Sequence, residues 1–144
     1  MAKMIFVNLP VADLQRSIAF YEAVGAVMNP QFSDDTAACM VLSETIHVMI
    51  LTHAKFGQFT PKRIADAHEA SEVLICISAE SRDEVDRMTE SALANGGREP
   101  REPQDHGFMY GRSFEDPDGH IWEPMFMDME AAKAAMCPPE TAAA

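Results

Sequence analysis

The most informative segment of the chain is residues 108–126, which read FMYGRSFEDPDGHIWEPMF. Its centre, residues 116–119 (DPDG), favours a tight turn, because Pro fixes φ, Asp bonds nearby backbone and Gly accepts a positive φ. Aromatic and apolar residues flank the turn on both sides, which predicts a β-hairpin. Side chains alternate between the two faces of a strand, so we expect Glu123 to share a face with Ile121 and Met125.

Glu123 is therefore the first candidate for a functional residue. A carboxylate among apolar neighbours is costly to bury unless it is protonated, paired with a cation or bound to a metal ion. These alternatives make Glu123 a candidate catalytic base, a candidate metal ligand or one half of an ion pair.

The composition narrows the classes of function. The 144 residues fit one compact domain, and a net charge of −12 disfavours binding to nucleic acid or to an anionic membrane surface. No apolar run approaches the roughly 20 residues of a membrane span, and residues 1–6 lack a signal-peptide pattern. The cysteines, at positions 39, 76 and 137, lack metal-site spacing and fit a reducing compartment. We therefore expect a cytoplasmic protein.

The predicted elements follow one order twice, namely a strand, a helix and three strands. In the first half, a helix capped by Asp13 lies among strands at residues 4–11, 26–32, 36–42 and 46–52. In the second half, a strand is predicted at residues 72–78, and a capping box at Ser81 and Glu84 begins the helix that follows it. An edge strand at 98–102 and the hairpin come after this helix. Short helices are also predicted at residues 60–68 and 128–136, the second stopped by residues 137–139.

This order excludes a doubly wound parallel sheet, in which strands and helices alternate. It predicts a mostly antiparallel α+β fold with a single domain over residues 1–128. Within that domain we expect one module at about 3–53, a connector at 54–71 and a second module at about 72–128. Residues 129–144 should form a C-terminal helix and a frayed tail.

Three segments resemble the vicinal oxygen chelate superfamily, which includes glyoxalase I, bleomycin- and fosfomycin-resistance proteins and extradiol dioxygenases. They are residues 11–21 (VADLQRSIAFY), similar to its first strand–helix junction, residues 116–123 (DPDGHIWE), similar to its last hairpin, and residues 102–114 (EPQDHGFMYGRSF), similar to a bacterial branch of predicted lactoylglutathione lyases. The resemblance implies two βαβββ modules whose curled sheets form a cup. It also implies a small organic ligand in the cup and a homodimer.

In metal-dependent members of this superfamily, the residue that matches Glu123 is a metal ligand. The resemblance places the other ligand positions at or near Phe6, Ile50 and Val73, which are apolar here. A divalent ion such as nickel, zinc, iron or manganese needs several oxygen or nitrogen ligands. The residues therefore favour a paired or hydrogen-bonded Glu123 over a metal site.

Histidines could supply the missing ligands. His47 and His53 alternate with Ile50, so they should face away from that position unless the strand register is shifted by one residue. His120 alternates in the same way with Glu123. Only His106, in a loop before a strand, is free to reach the site.

Other polar side chains are candidates for ligand binding. Tyr110 and Arg112 share a face and could recognise an anion or an amide, or Arg112 could pair with an acid such as Glu115. If their face lines the cup, Arg112 is the natural partner of Glu123. Asn8 shares a face with Phe6 and could contact ligand or serve the sheet edge. The candidate ligand-binding set is Asn8, His106, Tyr110, Arg112 and Glu123.

Three functions are compatible with these residues. The protein could bind a small apolar or aromatic molecule without catalysis, as bleomycin-resistance proteins do. It could be a metal-dependent lyase, isomerase or dioxygenase in which Glu123 holds the cation. It could also be a metal-free lyase-like enzyme with Glu123 as a general base. The apolar residues at three of the four ligand positions favour the first or third function.

Overall fold

The computed structural model describes residues 2–136 and contains nine strands and four α-helices in that range. The strands are β1 (Ile5–Val11), β2 (Val27–Asn29), β3 (Ala37–Val41), β4 (Ile46–Thr52), β5 (Leu74–Ser78), β6 (Gln104–Asp105), β7 (Met109–Gly111), β8 (Phe114–Glu115) and β9 (Ile121–Met127). The helices are α1 (Leu14–Ala23), α2 (His53–Phe56), α3 (Arg82–Ala94) and α4 (Met129–Met136).

The strands form two separate sheets. The first sheet has the order β1-β4-β3-β2, and the second has the order β5-β9-β7-β6, with β8 paired to β9. Only the β1–β4 and β5–β9 pairs are parallel among the described strands. Each sheet therefore comes from one strand–helix–strands unit, which confirms the predicted mostly antiparallel α+β fold. The bounds of the single domain and its two modules stay predictions.

The two long helices begin at the predicted caps. The Asp13 carboxylate accepts a hydrogen bond from the Arg16 amide at 3.1 Å, and the Ser81 hydroxyl accepts one from the Glu84 amide at 3.1 Å. The Glu84 carboxylate accepts from the amide of Glu80 rather than that of Ser81, at 2.8 Å. Both caps satisfy backbone N–H groups that a helix start leaves without intrahelical partners.

An aromatic cluster joins the two halves of the chain. Phe20 and Tyr21 of α1 pack against Phe114 and Trp122 of the second sheet, and all four side chains are fully buried. The indole N–H of Trp122 donates to the Tyr21 hydroxyl at 3.0 Å. Trp122 is thus a core residue, and its position fixes β9 against the first helix.

Several local predictions are wrong. Residues 60–68 form no helix, since the Asp66 carboxylate accepts from the His68 amide in a turn, and the short helix α2 lies earlier in the chain. Residues 98–102 form no strand beyond one bridge from Arg98, and the edge strand is β6. Pro100 and Pro103 lack the N–H groups that a ladder needs, which explains the shift.

The C-terminal end is described only in part. Helix α4 covers the predicted range to within one residue, whereas the stop at residues 137–139 and the tail lie outside the described residues. In the part of the chain that the structure describes, no helix is long and apolar enough to cross a membrane.

Candidate functional site

Helix α1 covers one face of the first sheet. Val48 and Ile50 point into the core beneath α1 and are fully buried. The alternate residues of β4, His47 and Met49, point the other way. In the β1–β4 ladder, His47 pairs with Phe6 and Met49 pairs with Asn8. Strand register extends this row across the sheet from Met49 to Cys39 and Asn29. We call the side away from α1 the open face of the first sheet.

A pocket of about 520 Å³ lies on this open face. Phe6 forms one wall and stacks on the His47 ring, with 4.5 Å between ring centroids and 19° between planes. No Asp, Glu, Lys or Arg lines it. We call it the Phe6 pocket, and its lining residues are Met4, Phe6, Asn29, Phe32, Cys39, His47 and Met49.

His47 faces away from Ile50, as the alternation of strand faces predicts. The expected ligand position, Ile50, itself points into the core, so the alternation of strand faces brings His47 to the same side as Phe6. The His47 side chain is buried, and its Nδ1 atom has no hydrogen-bond partner among residues 2–136. The sequence of β4 could have predicted that Ile50 faces the core. Val48 and Ile50 belong to the alternating set that is apolar, whereas the other set contains His47.

Glu123 lies on the helix-free face of the second sheet. It pairs across the parallel β5–β9 ladder with Cys76. On its other side, β9 pairs with β7 and β8 in one register, in which Gly111 lies opposite Met125 and Phe114 lies opposite Trp122. The same register puts Ser113 opposite Glu123. The Glu123 carboxylate is partly buried and accepts a hydrogen bond from Arg101 at 3.1 Å.

Arg112 is not the partner of Glu123, which was expected only if the Arg112 face lined the cup, and it pairs with other acids instead. Successive side chains alternate, so Arg112 and Tyr110 lie on the opposite face of the sheet, against α3. The Tyr110 hydroxyl donates to Asp86 of this helix at 2.6 Å. These two candidate ligand-binding residues are therefore separated from Glu123 by the sheet itself.

Three carboxylates surround the Arg112 guanidinium. Asp86 lies 3.1 Å from Nη1, Glu90 lies 2.8 Å from Nη2 and Glu99 lies 2.9 Å from Nε. Hydrogen bonding to Glu99 is the main reason that the pKa of Arg112 is raised. The Tyr110 hydrogen bond is the main reason that the pKa of Asp86 is lowered. Every nitrogen of the Arg112 guanidinium therefore has an acidic partner within the protein.

The remaining candidates, Asn8 and His106, do not line the Phe6 pocket. Asn8 is on the open face but exposed, and its amide donates to the Phe6 carbonyl at 3.3 Å. His106 is exposed in the turn between β6 and β7, where its backbone amide donates to the Met109 carbonyl. Within residues 2–136, neither Asn8 nor His106 forms a hydrogen bond with Glu123 or His47.

The residues at the family's metal positions do not fit a divalent ion. Phe6 is apolar, Ile50 is turned into the core, and the exposed Val73 is apolar as well. Across the described range, no three His, Cys, Asp or Glu side chains gather closely enough to hold a metal ion. Glu123 alone retains a donor, and Arg101 occupies one of its oxygens.

The polar residues of the hairpin turn, Asp116 and Asp118, hydrogen-bond to other parts of the fold. Asp116 accepts hydrogen bonds from the backbone amides of Asp118 and His120, both at 2.9 Å, and from the Tyr21 hydroxyl at 2.6 Å. Asp118 accepts from the amide of Ala12, just before α1, at 2.9 Å. The turn therefore fastens the second sheet to the start of the first helix.

Comparison with known proteins places this architecture in a family. The family model described as "Glyoxalase/Bleomycin resistance protein/Dioxygenase superfamily" matches residues 3–123. A search of curated proteins finds no match. Among solved structures, a hypothetical protein from S. aureus is 27% identical, with a TM-score of 0.72 over 88% of this chain and 95% of that chain.

Two further structures show the same fold at lower identity. A glyoxalase/bleomycin resistance protein/dioxygenase family enzyme from Burkholderia phytofirmans PsJN is 16% identical, with a TM-score of 0.71 over 88% of this chain and 99% of that chain. A fosfomycin resistance protein from Mesorhizobium loti is 20% identical, with a TM-score of 0.62 over 92% and 95%. The chain belongs to the glyoxalase/bleomycin resistance protein/dioxygenase superfamily.

Proposed function

We propose that this protein binds a small, mainly apolar organic molecule in the Phe6 pocket and does so without a metal ion at the family's ligand positions. The observation that carries the proposal is the replacement of a metal-ligand position by Phe6, which forms the wall of an apolar pocket of about 520 Å³. Ligand pockets of ordinary size occupy roughly 300–1,000 Å³ and have apolar walls with few polar groups.

The composition of the pocket supports this assignment. Met4 and Met49 present flexible thioethers, which adapt to ligands of varied shape and make favourable contacts with aromatic rings. Phe6 and Phe32 add exposed aromatic surface that a ligand would cover. Large exposed apolar groups gathered around a cavity are a typical mark of a binding site.

The metal-dependent lyase, isomerase or dioxygenase is the less favoured alternative. Such an enzyme needs at least three convergent oxygen or nitrogen ligands, and the family positions offer only Glu123. Membership of the lactoylglutathione lyase-like branch stays a prediction, as does a metal-free role of Glu123 as a general base. Both predictions depend on the second sheet, whereas the binding proposal depends on the first.

A thermal-shift screen with small aromatic and aliphatic compounds tests the binding proposal. Hits would be measured by calorimetry on the wild type, on Met49→Trp and on Met129→Trp. The first variant fills the pocket, and the second adds the same side chain on exposed α4. We expect Met49→Trp to weaken binding at least tenfold and Met129→Trp to leave it unchanged. Equal affinities in all three proteins would overturn the proposal.

Elemental analysis tests the alternative. The wild type and Glu123→Ala would be dialysed, incubated with nickel, zinc, iron or manganese, and dialysed again. We expect less than about a tenth of an equivalent of metal in both proteins, because one carboxylate with an arginine partner binds divalent ions weakly. A stoichiometric ion in the wild type that Glu123→Ala loses would contradict the metal-free proposal.

We also propose that the protein is a homodimer in the cytoplasm. The strands β1 and β5 are sheet edges, and their first residues expose large apolar side chains. Unpaired strand edges with apolar side chains are surfaces on which a second chain can pair. Light scattering after size-exclusion chromatography should give twice the 15.9 kDa chain mass. Ile5→Lys should reduce this mass, whereas Met129→Lys, at an exposed apolar residue of α4 away from the strand edges, should not.

A further inference from the structure

The side-chain amide of Asn29 has one unpaired half at the wall of the Phe6 pocket. Its Oδ1 atom accepts a hydrogen bond from the backbone amide of Gln31 at 3.0 Å. A backbone N–H only donates, so this bond identifies the oxygen half of the side chain, and the NH2 group is the other half. Within residues 2–136, this NH2 group has no hydrogen-bond partner.

The NH2 group of Asn29 is accessible from outside the protein. Among residues 2–136, the unpartnered side-chain nitrogen and oxygen atoms that are closed off are His47 Nδ1 and Ser113 Oγ. Asn29 Nδ2 is not one of them, and the residue is only partly buried. Asn29 pairs with Cys39, which pairs in turn with Met49, so all three side chains share the open face. Two N–H donors are therefore available to a molecule in the pocket.

The Asn29 side chain is also held in one orientation. It caps the short 3₁₀ helix at Pro30–Phe32 through its contact with Gln31, and the Ser33 hydroxyl donates to the Asn29 carbonyl at 2.7 Å. A ligand that bonds to the NH2 group does not have to order this side chain first. Such a preformed polar group gives specificity at a low cost in conformational entropy.

The walls of the pocket select the body of the ligand. The aromatic side chains Phe6 and Phe32 are 49% and 66% exposed, and the thioethers of Met4 and Met49 lie beside them. Offset stacking and sulfur–aromatic contacts both favour a planar aromatic molecule over a branched aliphatic one. A bicyclic aromatic molecule is within the size range that a cavity of about 520 Å³ accommodates.

The Asn29 donor selects the functional group of the ligand. A ketone or similar carbonyl only accepts hydrogen bonds, so it pairs with an NH2 group and brings no donor of its own that would need a partner. A carboxylate also accepts, but it is expensive to desolvate and would find no Lys or Arg in the lining.

We propose that the Phe6 pocket takes a neutral, planar aromatic molecule with a carbonyl group, and that this carbonyl accepts a hydrogen bond from Asn29 Nδ2. The inference rests on the proposed function, because it names the ligand class of the same pocket. It assigns Asn29 as the residue that distinguishes aromatic carbonyl compounds from hydrocarbons of the same shape.

Three probes of similar size test the inference, namely 2-acetylnaphthalene, 2-isopropenylnaphthalene and 2-naphthoate. The first two have the same shape, but a CH2 group in the alkene replaces the carbonyl oxygen of the ketone. The third probe carries a carboxylate. Equilibrium dialysis with the full chain would measure the three affinities.

Two variants remove the donor and keep the cap. Asn29→Asp retains an oxygen for the Gln31 amide and replaces the NH2 group with a second acceptor, and Asn29→Ser removes the NH2 group without adding a charge. Asp and Ser cap helices about as well as Asn does. Asn95→Asp, at the exposed C-terminal end of α3 and outside the pocket lining, is the matched control. Circular dichroism would establish that each variant is folded.

We expect the wild type and Asn95→Asp to bind the ketone about fivefold more tightly than the alkene, which is the net effect of one hydrogen bond. Both substitutions of Asn29 should bind the ketone no more tightly than the alkene. The wild type should bind 2-naphthoate at least about tenfold more weakly than the ketone, because the carboxylate loses its hydration.

Other outcomes separate the inference from the proposed function. Equal wild-type affinities for ketone and alkene, both lost in Met49→Trp, would overturn the carbonyl assignment and leave the Phe6 pocket as a binding site. A preference for the ketone that persists in both substitutions of Asn29 would overturn the assignment of that residue. Tight binding of 2-naphthoate would overturn the choice of a neutral ligand. A ketone affinity that Met49→Trp does not change would overturn the proposed function itself.

Discussion

The Nε2 atom of His120 lies 2.8 Å from the carbonyl oxygen of Pro10, although the two residues are 110 positions apart in the chain. A carbonyl only accepts, so Nε2 carries a proton, while Nδ1 lies 2.9 Å from the Glu72 carboxylate. Burial alone would lower the pKa of His120, but Asp116, Pro10 and Glu72 outweigh it and raise the pKa. A charged imidazole thus joins the end of β1, the connector and the hairpin turn.

This geometry predicts a pH dependence of stability. An unfolded histidine titrates near 6.5, and the folded pKa of His120 is higher, so the stabilisation is complete below about pH 6.5. It is lost as the pH rises through the folded-state pKa, with a slope of at most about 1.4 kcal/mol per pH unit. Urea unfolding at pH 6, 7, 8 and 9 would measure this loss.

The contribution of His120 is isolated by substitution. His120→Gln should be less stable at pH 6 and should lose the part of the slope that the wild type shows above pH 6.5. His106→Gln removes an exposed histidine and should keep the wild-type slope. A wild type whose unfolding free energy is flat or rises from pH 6.5 to 9 would contradict the charged imidazole.

A second prediction concerns Gly119 in the hairpin turn. Its φ is +90°, and a Cβ atom there would lie 2.8 Å from backbone atoms of Ala67 and His68 in the connector. Gly119→Ala should therefore combine the cost of a left-handed conformation, about 1–2 kcal/mol, with a backbone clash. We expect a total loss of at least about 3 kcal/mol in the free energy of unfolding.

Gly25 is a matched control for the cost of the left-handed conformation alone. Its φ is +111°, but a Cβ atom there would meet nothing within 4 Å. Gly25→Ala should cost only about 1–2 kcal/mol, because the strain is present without the clash. If both variants lose the same stability in urea unfolding, close packing of the turn against residues 67–68 is not what requires Gly119.

The local chemistry of the chain predicted the element order well. The Asp13 and Ser81 caps and the DPDG turn each depend on residues within four positions, so the sequence is sufficient to place them. The interruption between β7 and β8 was not predicted, because its cause lies across the ladder rather than in the neighbouring residues. Pro124 sits opposite it in β9 and has no N–H to donate to the ladder.

The faces of the strands were harder to predict than their positions. Alternation groups side chains into two sets but does not say which set a helix covers. In β9, one set of side chains is Ile121, Glu123 and Met125. The other set is Trp122, Pro124 and Phe126, so both sets contain large apolar side chains. The orientation of Arg112 therefore depended on where α3 packs, and the Arg101–Glu123 pair depended on the path of a loop.

A third prediction concerns Arg112, whose side chain is 11% exposed and touches three carboxylates. Arg112→Met leaves Asp86, Glu90 and Glu99 close together without a cation. Breaking a buried ion pair costs about 3–5 kcal/mol, but these carboxylates are partly solvated, so we expect about 2 kcal/mol. Urea unfolding would measure the loss, and 1 M NaCl should reduce it by screening the repulsion.

The control for this variant is Arg63→Met, which removes an exposed arginine of the connector. Surface substitutions of this kind usually change stability by less than about 0.5 kcal/mol. An Arg112→Met protein as stable as Arg63→Met would show that the three contacts contribute no net stability.

The last prediction concerns Cys76 and Glu123, which are direct partners on the helix-free face of the second sheet. Burial raises the pKa of the Cys76 thiol, and the negative charge of Glu123 raises it further. Glu123→Gln removes that charge and also frees the Arg101 guanidinium, so the thiolate becomes easier to form. We expect the alkylation of Cys76 by iodoacetamide at pH 8 to become about threefold faster, equivalent to about half a pKa unit.

Peptide mass spectrometry would follow Cys76 separately from buried Cys39, which serves as an internal reference because burial raises its thiol pKa as well. Glu22→Gln, a charge removal on α1 in the first module, should leave the Cys76 rate unchanged. An unchanged or slower rate in Glu123→Gln would mean that the carboxylate does not act on the thiol. A faster rate would show that the charges at position 123 and at Arg101 act on a thiol of the same face.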